Sequence, residues 1–251
     1  MLILKLTLVP LALLLFGIVD RLHGPRVAGW LAGFPIVAGP ILVFLALDHG
    51  ADFTAAAALG AYFGLVPWLA FTASYSWFSY SWNWMLSALA SLVLWVVAAC
   101  AVLWLEDGPR WLEILPFLFL VAAILFYPRG KPSDEEREHV WWGLPARMVA
   151  GAGLTLLITQ FADAMGTRWA GIFTTFPVMG SIIAISTHVQ YGHHAVRETV
   201  AGMATGLPSV AIFCFALYAL LGRMEIWPAF GLALAASCSM HALTWLLFKK
   251  R

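Results

Sequence analysis

Nine apolar runs of 17 to 24 residues fill nearly the whole chain, at about 2–20, 29–47, 53–73, 84–105, 111–127, 145–163, 169–188, 198–221 and 227–248. They are parted only by short charged or Gly/Pro-rich breaks. A helix that crosses the roughly 30 Å hydrocarbon layer uses about 20 such residues, so each run has the length of a span. In lipid every backbone amide must be paired within the protein, and for runs of this length the helix does that. The expected fold is therefore all-α, a polytopic transmembrane bundle of about nine spans. The composition agrees: 62% of the 251 residues are apolar and 11% charged, against about 45–50% and about 25% in a soluble domain. That excludes a soluble enzyme and a disordered tail. With 14 Lys and Arg against 13 Asp and Glu, there is no basic field to hold a nucleic acid, and the bilayer is the partner.

The leucine-rich start after Lys5 imitates a signal peptide, but no small-x-small cleavage site follows, so residues up to Asp20 read as a retained first span. Cys100, Cys214 and Cys238 lie inside apolar runs without metal-ligand spacing and read as small hydrophobes. Arg129 to His139 is the strongly charged stretch and reads as an exposed loop. Lys and Arg counted on alternate sides of nine spans give four on one side (Lys5, Arg110, Arg168, Arg223) and ten on the other. The positive-inside rule then puts the N-terminus outside and the C-terminus in the cytoplasm of a bacterial inner membrane. Trp77, Trp82 and Trp84, interleaved with Tyr75 and Tyr80, look like an interfacial aromatic belt.

Laid against itself at an offset of 142, the chain aligns Arg26–Phe71 with Arg168–Phe213 without a gap, with 11 identities in 46 positions. The matches include Arg26/Arg168, Gly29/Gly171, Phe34/Phe176, Pro35/Pro177, Gly50/Gly192, Gly60/Gly202 and Gly64/Gly206. This reads as an ancestral duplication. The expected organisation is a first repeat at 1–105, a linker helix and charged cytoplasmic loop at 106–140, and a second repeat at 141–251. Five spans separate the start of one unit from the start of the next, and an odd number inverts the second copy. If spans 2 and 7 were re-entrant, four crossings would separate the units and the repeats would be parallel.

Pro35 lies nine residues after Arg26, and Pro177 nine after Arg168. At 1.5 Å per residue that is about 13 Å, close to mid-depth. Proline removes a donor and pushes its neighbour out of helical geometry, yet it suits the first turn of a new helix, so both sites read as starts of half-helices. Two such starts meeting at the midplane would favour an anion or a strongly polar solute. Expected substrate-binding residues are Gly33, Phe34, Pro35, Gly39, Thr174, Thr175, Phe176, Pro177, Gly180 and Ser181. The glycines would admit a ligand to the backbone and the hydroxyls would contact it. The alternative is a pair of kinked, packed helices whose hydroxyls satisfy the backbone freed at each kink. Gly60-x3-Gly64 and Gly202-x3-Gly206 read as close-packing surfaces.

Asp20 with Arg26 and Asp163 with Arg168 read either as interfacial salt bridges or as gating and proton-coupling pairs. His188 joins that set, and with His193 and His194 it forms a loose cluster. His241 reads as a hydrogen-bonded structural histidine.

The function expected from this pattern is a secondary transporter of a small polar, preferably anionic, solute, working by alternating access at the repeat interface. Proton coupling and a homo-oligomer are left open. Alternatives are a lipid-carrier flippase or channel, and an intramembrane enzyme acting on a lipid-linked substrate. Neither a Walker motif nor HExxH or GxSxG occurs, and no cofactor is expected. The repeated GxxxxFP segment followed by an apolar run resembles uncharacterised multi-pass bacterial inner-membrane proteins, and the plan is similar to inverted-repeat carriers.

Overall fold

A chain with so little charge must pair its backbone amides locally, and helices dominate accordingly. The computed structural model describes residues Thr7, Pro10, Leu11, Leu14, 25–106, 109–126 and 143–249. Within them lie eight α-helices and no strand: α1 (Pro25–Ala32), α2 (Ala38–Phe63), α3 (Leu65–Phe78), α4 (Trp84–Glu106), α5 (Leu115–Phe126), α6 (Gly143–Thr174), α7 (Val178–Leu221) and α8 (Ile226–Lys249). A 3-10 turn, Arg110–Ile114, leads into α5. The fold class is thus all-α, and five helical stretches are long and apolar enough to cross a membrane: Ala38–Phe78, Trp84–Trp104, Met148–Thr174, Gly192–Leu221 and Ile226–Leu246. Trp111–Leu125 and Gly180–Val189 are apolar but shorter. Most of the first apolar run, and all of the charged stretch at 129–139, lie outside the described residues.

Several of the nine runs merge into longer helices. The Ala38–Phe78 stretch has 41 residues, about 61 Å if straight, which is twice the hydrocarbon thickness. It is interrupted at Gly50, with φ 84° and ψ −176°. Helix α6 is interrupted at Gly166 and α7 at Gly192, with φ 74° and 73°. Positive φ with ψ near 180° is a region essentially open to glycine alone, so each site redirects a helix without spending a loop. All three fall where the sequence puts a break between runs.

The offset of 142 also appears in the backbone. Gly192 (φ 73°, ψ −173°) repeats the conformation of Gly50, and α4 and α8 start at Trp84 and Ile226, again 142 apart. In the packing, α2 lies along α6 and α1 along α7, while α3 pairs with α4 and α7 with α8. The interior is centred on Ile41, Leu42, Phe44, Leu45, Tyr75, Ile158, Ile172, Met203 and Leu217, all essentially inaccessible. Large side chains such as Leu89, Val93, Val97 and Trp104 on α4 and Leu232 and Leu246 on α8 point outward, the arrangement expected where the surrounding solvent is lipid.

Helix α5 packs on both α3 and α7. Grooves flank it on two sides: one is walled by Val66, Leu69, Ala70 and Ala73 of α3, the other by Pro208, Ala211, Ile212 and Phe215 of α7. Those two sets are again 142 residues apart, so α5 sits between matched faces. Its 12 residues extend about 18 Å, less than the hydrocarbon layer.

Candidate functional site at the paired Phe-Pro breaks

Both Phe-Pro pairs interrupt a helix in the same way. At the first, amides donate from Gly33 to Trp30 O (3.1 Å), Phe34 to Leu31 O (2.9 Å), Ile36 to Phe34 O (2.7 Å) and Gly39 to Pro35 O (2.9 Å). At the second, they donate from Thr175 to Ile172 O (3.2 Å), Phe176 to Phe173 O (2.9 Å), Val178 to Phe176 O (2.7 Å) and Ser181 to Pro177 O (2.7 Å). Every donor and acceptor is displaced by 142. The bond that spans each proline closes a three-residue turn, and Pro177 at φ −76° and ψ 49° lies near the inverse γ-turn minimum. Helix α2 restarts at Ala38 and α7 at Val178, so two fresh helix N-termini, whose first amides have no intrahelical partner, follow the prolines.

The structure brings the two breaks together around a cavity of about 50 Å³. Its walls are paired: Ala32/Thr174, Phe34/Phe176, Pro35/Pro177, Ala38/Gly180, Leu65/Leu207 and Trp68/Val210 face it, with Val37 and Thr175 completing the lining. Each pair is again 142 residues apart, so the two matched segments build one site. The volume holds a few water-sized groups. No charged side chain lines it, so its polarity comes from the backbone at the two helix starts and from two threonines.

Those threonines act differently from the sequence expectation. The Thr174 hydroxyl donates to Ala170 O (2.7 Å), Thr175 to Ile172 O (3.1 Å) and Ser181 to Val178 O (3.0 Å). Their protons are committed to backbone carbonyls three or four residues back, which leaves lone pairs rather than donors for a ligand. Gly33 is also placed differently. A β-carbon there would overlap the Gly206 backbone, and one at Gly64 would overlap the Thr175 hydroxyl. These small residues let α1 cross α7 and α2 cross α6 at close range, so Gly33 serves helix crossing rather than ligand access. Gly180 packs on the Trp68 ring, and a β-carbon at Gly39 would reach only Phe213.

The back of the first break is polar, a feature the sequence reading reached only through His241. The Ser209 hydroxyl shares its one proton between Gly33 O (2.6 Å) and Gly206 O (2.8 Å) and meets His241 Nδ1 at 3.0 Å. The His241 ring stacks on Trp30 at 3.8 Å, and Trp30 Nε1 donates to Thr244 (3.0 Å). Ser209, Trp30 and Thr244 carry no sequence signal, since an isolated serine or tryptophan in an apolar run has no periodicity of its own. The back of the second break is aromatic: Trp95 approaches Phe176 and Phe173 with ring centroids 4.9 and 5.6 Å apart.

Of the expected gating residues, Asp163, Arg168 and His188 are not among those that line the cavity. Asp163, with 87% of its side chain exposed, pairs with His49 Nδ1 at 3.3 Å, a partner the sequence did not name. Arg168 is exposed on α6, with its backbone against Gly60. His188 Nδ1 meets the Tyr75 hydroxyl at 3.2 Å. Asp20 and the side chain of Arg26 lie outside the described residues. Among the described residues no three His, Cys, Asp or Glu side chains converge as a metal site. Cys214 is buried, while Cys100 and Cys238 face outward. No protein-family model, curated protein or solved structure matches this chain.

Proposed function

We propose that the chain is a secondary transporter of a small polar solute, preferably an anion, in the bacterial inner membrane, working by alternating access between two inverted repeats. The observation that carries this reading is the paired cavity, because a site lined in equal measure by two copies is what a carrier needs to face either side by symmetric rocking. At about 50 Å³ it represents a nearly closed state around a solute of few atoms. The two helix starts supply its positive potential, since the hydroxyl protons are engaged elsewhere.

The inverted, nine-span arrangement is proposed on reciprocity. Gly206 of α7 meets Trp30 and Gly33 of the first copy, and Gly64, at the junction of α2 and α3, meets Ile172 and Thr175 of the second. Exchanging the copies exchanges these contacts, as a two-fold relation requires. Loop pairing adds support. His49 and Asp163, both expected on the outer face, are 3.3 Å apart, while Tyr75 and Tyr80, expected on the cytoplasmic face, meet His188 and His193. In this reading the chain reverses at Gly50, Gly166 and Gly192, and the N-terminus is outside.

Two measurements test the proposal. In a cysteine-free background, Asp52→Cys and His194→Cys should label with an impermeant maleimide from opposite faces; labelling from the same face excludes inversion. Proteoliposomes should take up at least one of a panel of halides, nitrate, formate and acetate, and Pro177→Ala should abolish that uptake with insertion intact. Equal uptake by wild type, variant and empty liposomes excludes the carrier reading for these anions.

A further inference from the structure

We infer that the groove between α3, α5 and the start of the second half of α7 is a binding site for an anionic phospholipid. The groove has a volume of about 630 Å³, within the roughly 300–1,000 Å³ range of ligand sites. Its walls are apolar except at one end, where Ser76, Trp77 and Arg197 meet. Ser76 is 1% exposed and its hydroxyl has no hydrogen-bond partner, and the Arg197 Nε is likewise buried and unpartnered. A buried donor left unpaired costs about 1–3 kcal/mol, so two of them on residues that line one groove favour an acceptor from outside the chain.

Arg197 lies 5.5 Å from the centroid of the Tyr80 ring, which His193 also approaches edge-on, and among the described residues no carboxylate forms a salt bridge with Arg197. From Ser76 the lane runs down α3 to Val66, ten residues or about 15 Å. Trp77 at its mouth is 77% exposed, as a headgroup-level anchor is. A phosphate at Arg197 with an acyl chain along α3 satisfies every element of this layout, and the cytoplasmic leaflet is where anionic lipids meet a basic side chain.

The matched groove on the other flank of α5 is the internal control. It presents the equivalent face of α7, yet the charged residue that lines it is Glu113. Arg197 stands where the first copy has Ala55, and Ser76 where the second has Tyr218. One groove has therefore acquired a cation and a free hydroxyl while its counterpart has not.

The test is thermal stability and native mass spectrometry of the detergent-purified protein with dioleoyl phosphatidylglycerol, dioleoyl phosphatidylcholine or inorganic phosphate. Phosphatidylglycerol should raise Tm and remain bound, while the other two should do neither. Arg197→Gln should weaken phosphatidylglycerol binding at least tenfold, Arg197→Lys less so. Ala73→Trp, which fills the lane and leaves the arginine, should also abolish binding, whereas Phe215→Trp in the opposite groove should not. Unchanged binding in Arg197→Gln, or equal stabilisation by inorganic phosphate with no effect of Ala73→Trp, would overturn the site. Should Arg197→Gln fail to fold, the Ala73→Trp and Phe215→Trp pair decides.

Discussion

The two Phe-Pro breaks share a backbone and differ in what stands behind them. Their hydrogen bonds are superposable bond for bond at an offset of 142, down to the 2.7 Å contact across each proline. Yet the first is backed by Ser209 and His241 and the second by Trp95 and Phe173. The backbone geometry follows from Phe-Pro itself, which fixes φ and removes a donor, so both segments share it. The supporting side chains come from four different helices, Ser209 of α7 and His241 of α8 behind the first break and Trp95 of α4 and Phe173 of α6 behind the second, where no such local constraint acts.

The largest expected effect concerns what the breaks share. Gly206→Val and Gly33→Val should each cost at least the roughly 1–3 kcal/mol of ordinary overpacking, because the new carbon meets backbone that cannot swing aside. Gly64→Val should cost less, since its obstacle includes the movable Thr175 hydroxyl. Detergent-phase Tm is the readout, and a neutral Gly206→Val would break the reciprocity argument.

Next comes what differs. Ser209→Ala strands the Gly33 carbonyl and His241 Nδ1, so a loss of about 1–3 kcal/mol is expected. Trp95→Phe on the other side should cost less than Ser209→Ala, because the indole N–H it removes is buried without a partner. Equal losses would mean the polar shell contributes nothing specific.

At the corners, Gly50→Ala and Gly192→Ala should each cost about 1–3 kcal/mol through backbone conformation alone, and by similar amounts if the two segments are equivalent. The smallest effect is expected at the rim: with Asp163 almost fully exposed, Asp163→Asn should change stability by about 0–1 kcal/mol. If uptake nevertheless falls with stability unchanged, Asp163 belongs to a gate.

Much of this was legible in the residues. Gly50, Gly166 and Gly192 fall at breaks between apolar runs because only glycine redirects a helix so abruptly, and the Phe-Pro sites announce themselves through proline's missing donor. The roles of Gly33 and of the three hydroxyls were not legible. A glycine beside a break looks the same in sequence whether it faces a ligand or another backbone. A hydroxyl that bonds its own carbonyl looks the same as one that awaits a solute.

The sequence by itself determined that the chain is helical, that several of its helices are long and apolar enough to cross a membrane, and where its helices break, since these depend on hydropathy and local backbone sterics. Tertiary structure alone decided that both breaks meet around one cavity, that Asp163 answers to His49, and that Arg197 lines a groove with no ion-pair partner among the described residues. Those facts depend on which helix crosses which, and crossings are set by packing between residues more than a hundred positions apart, where local pattern carries no information.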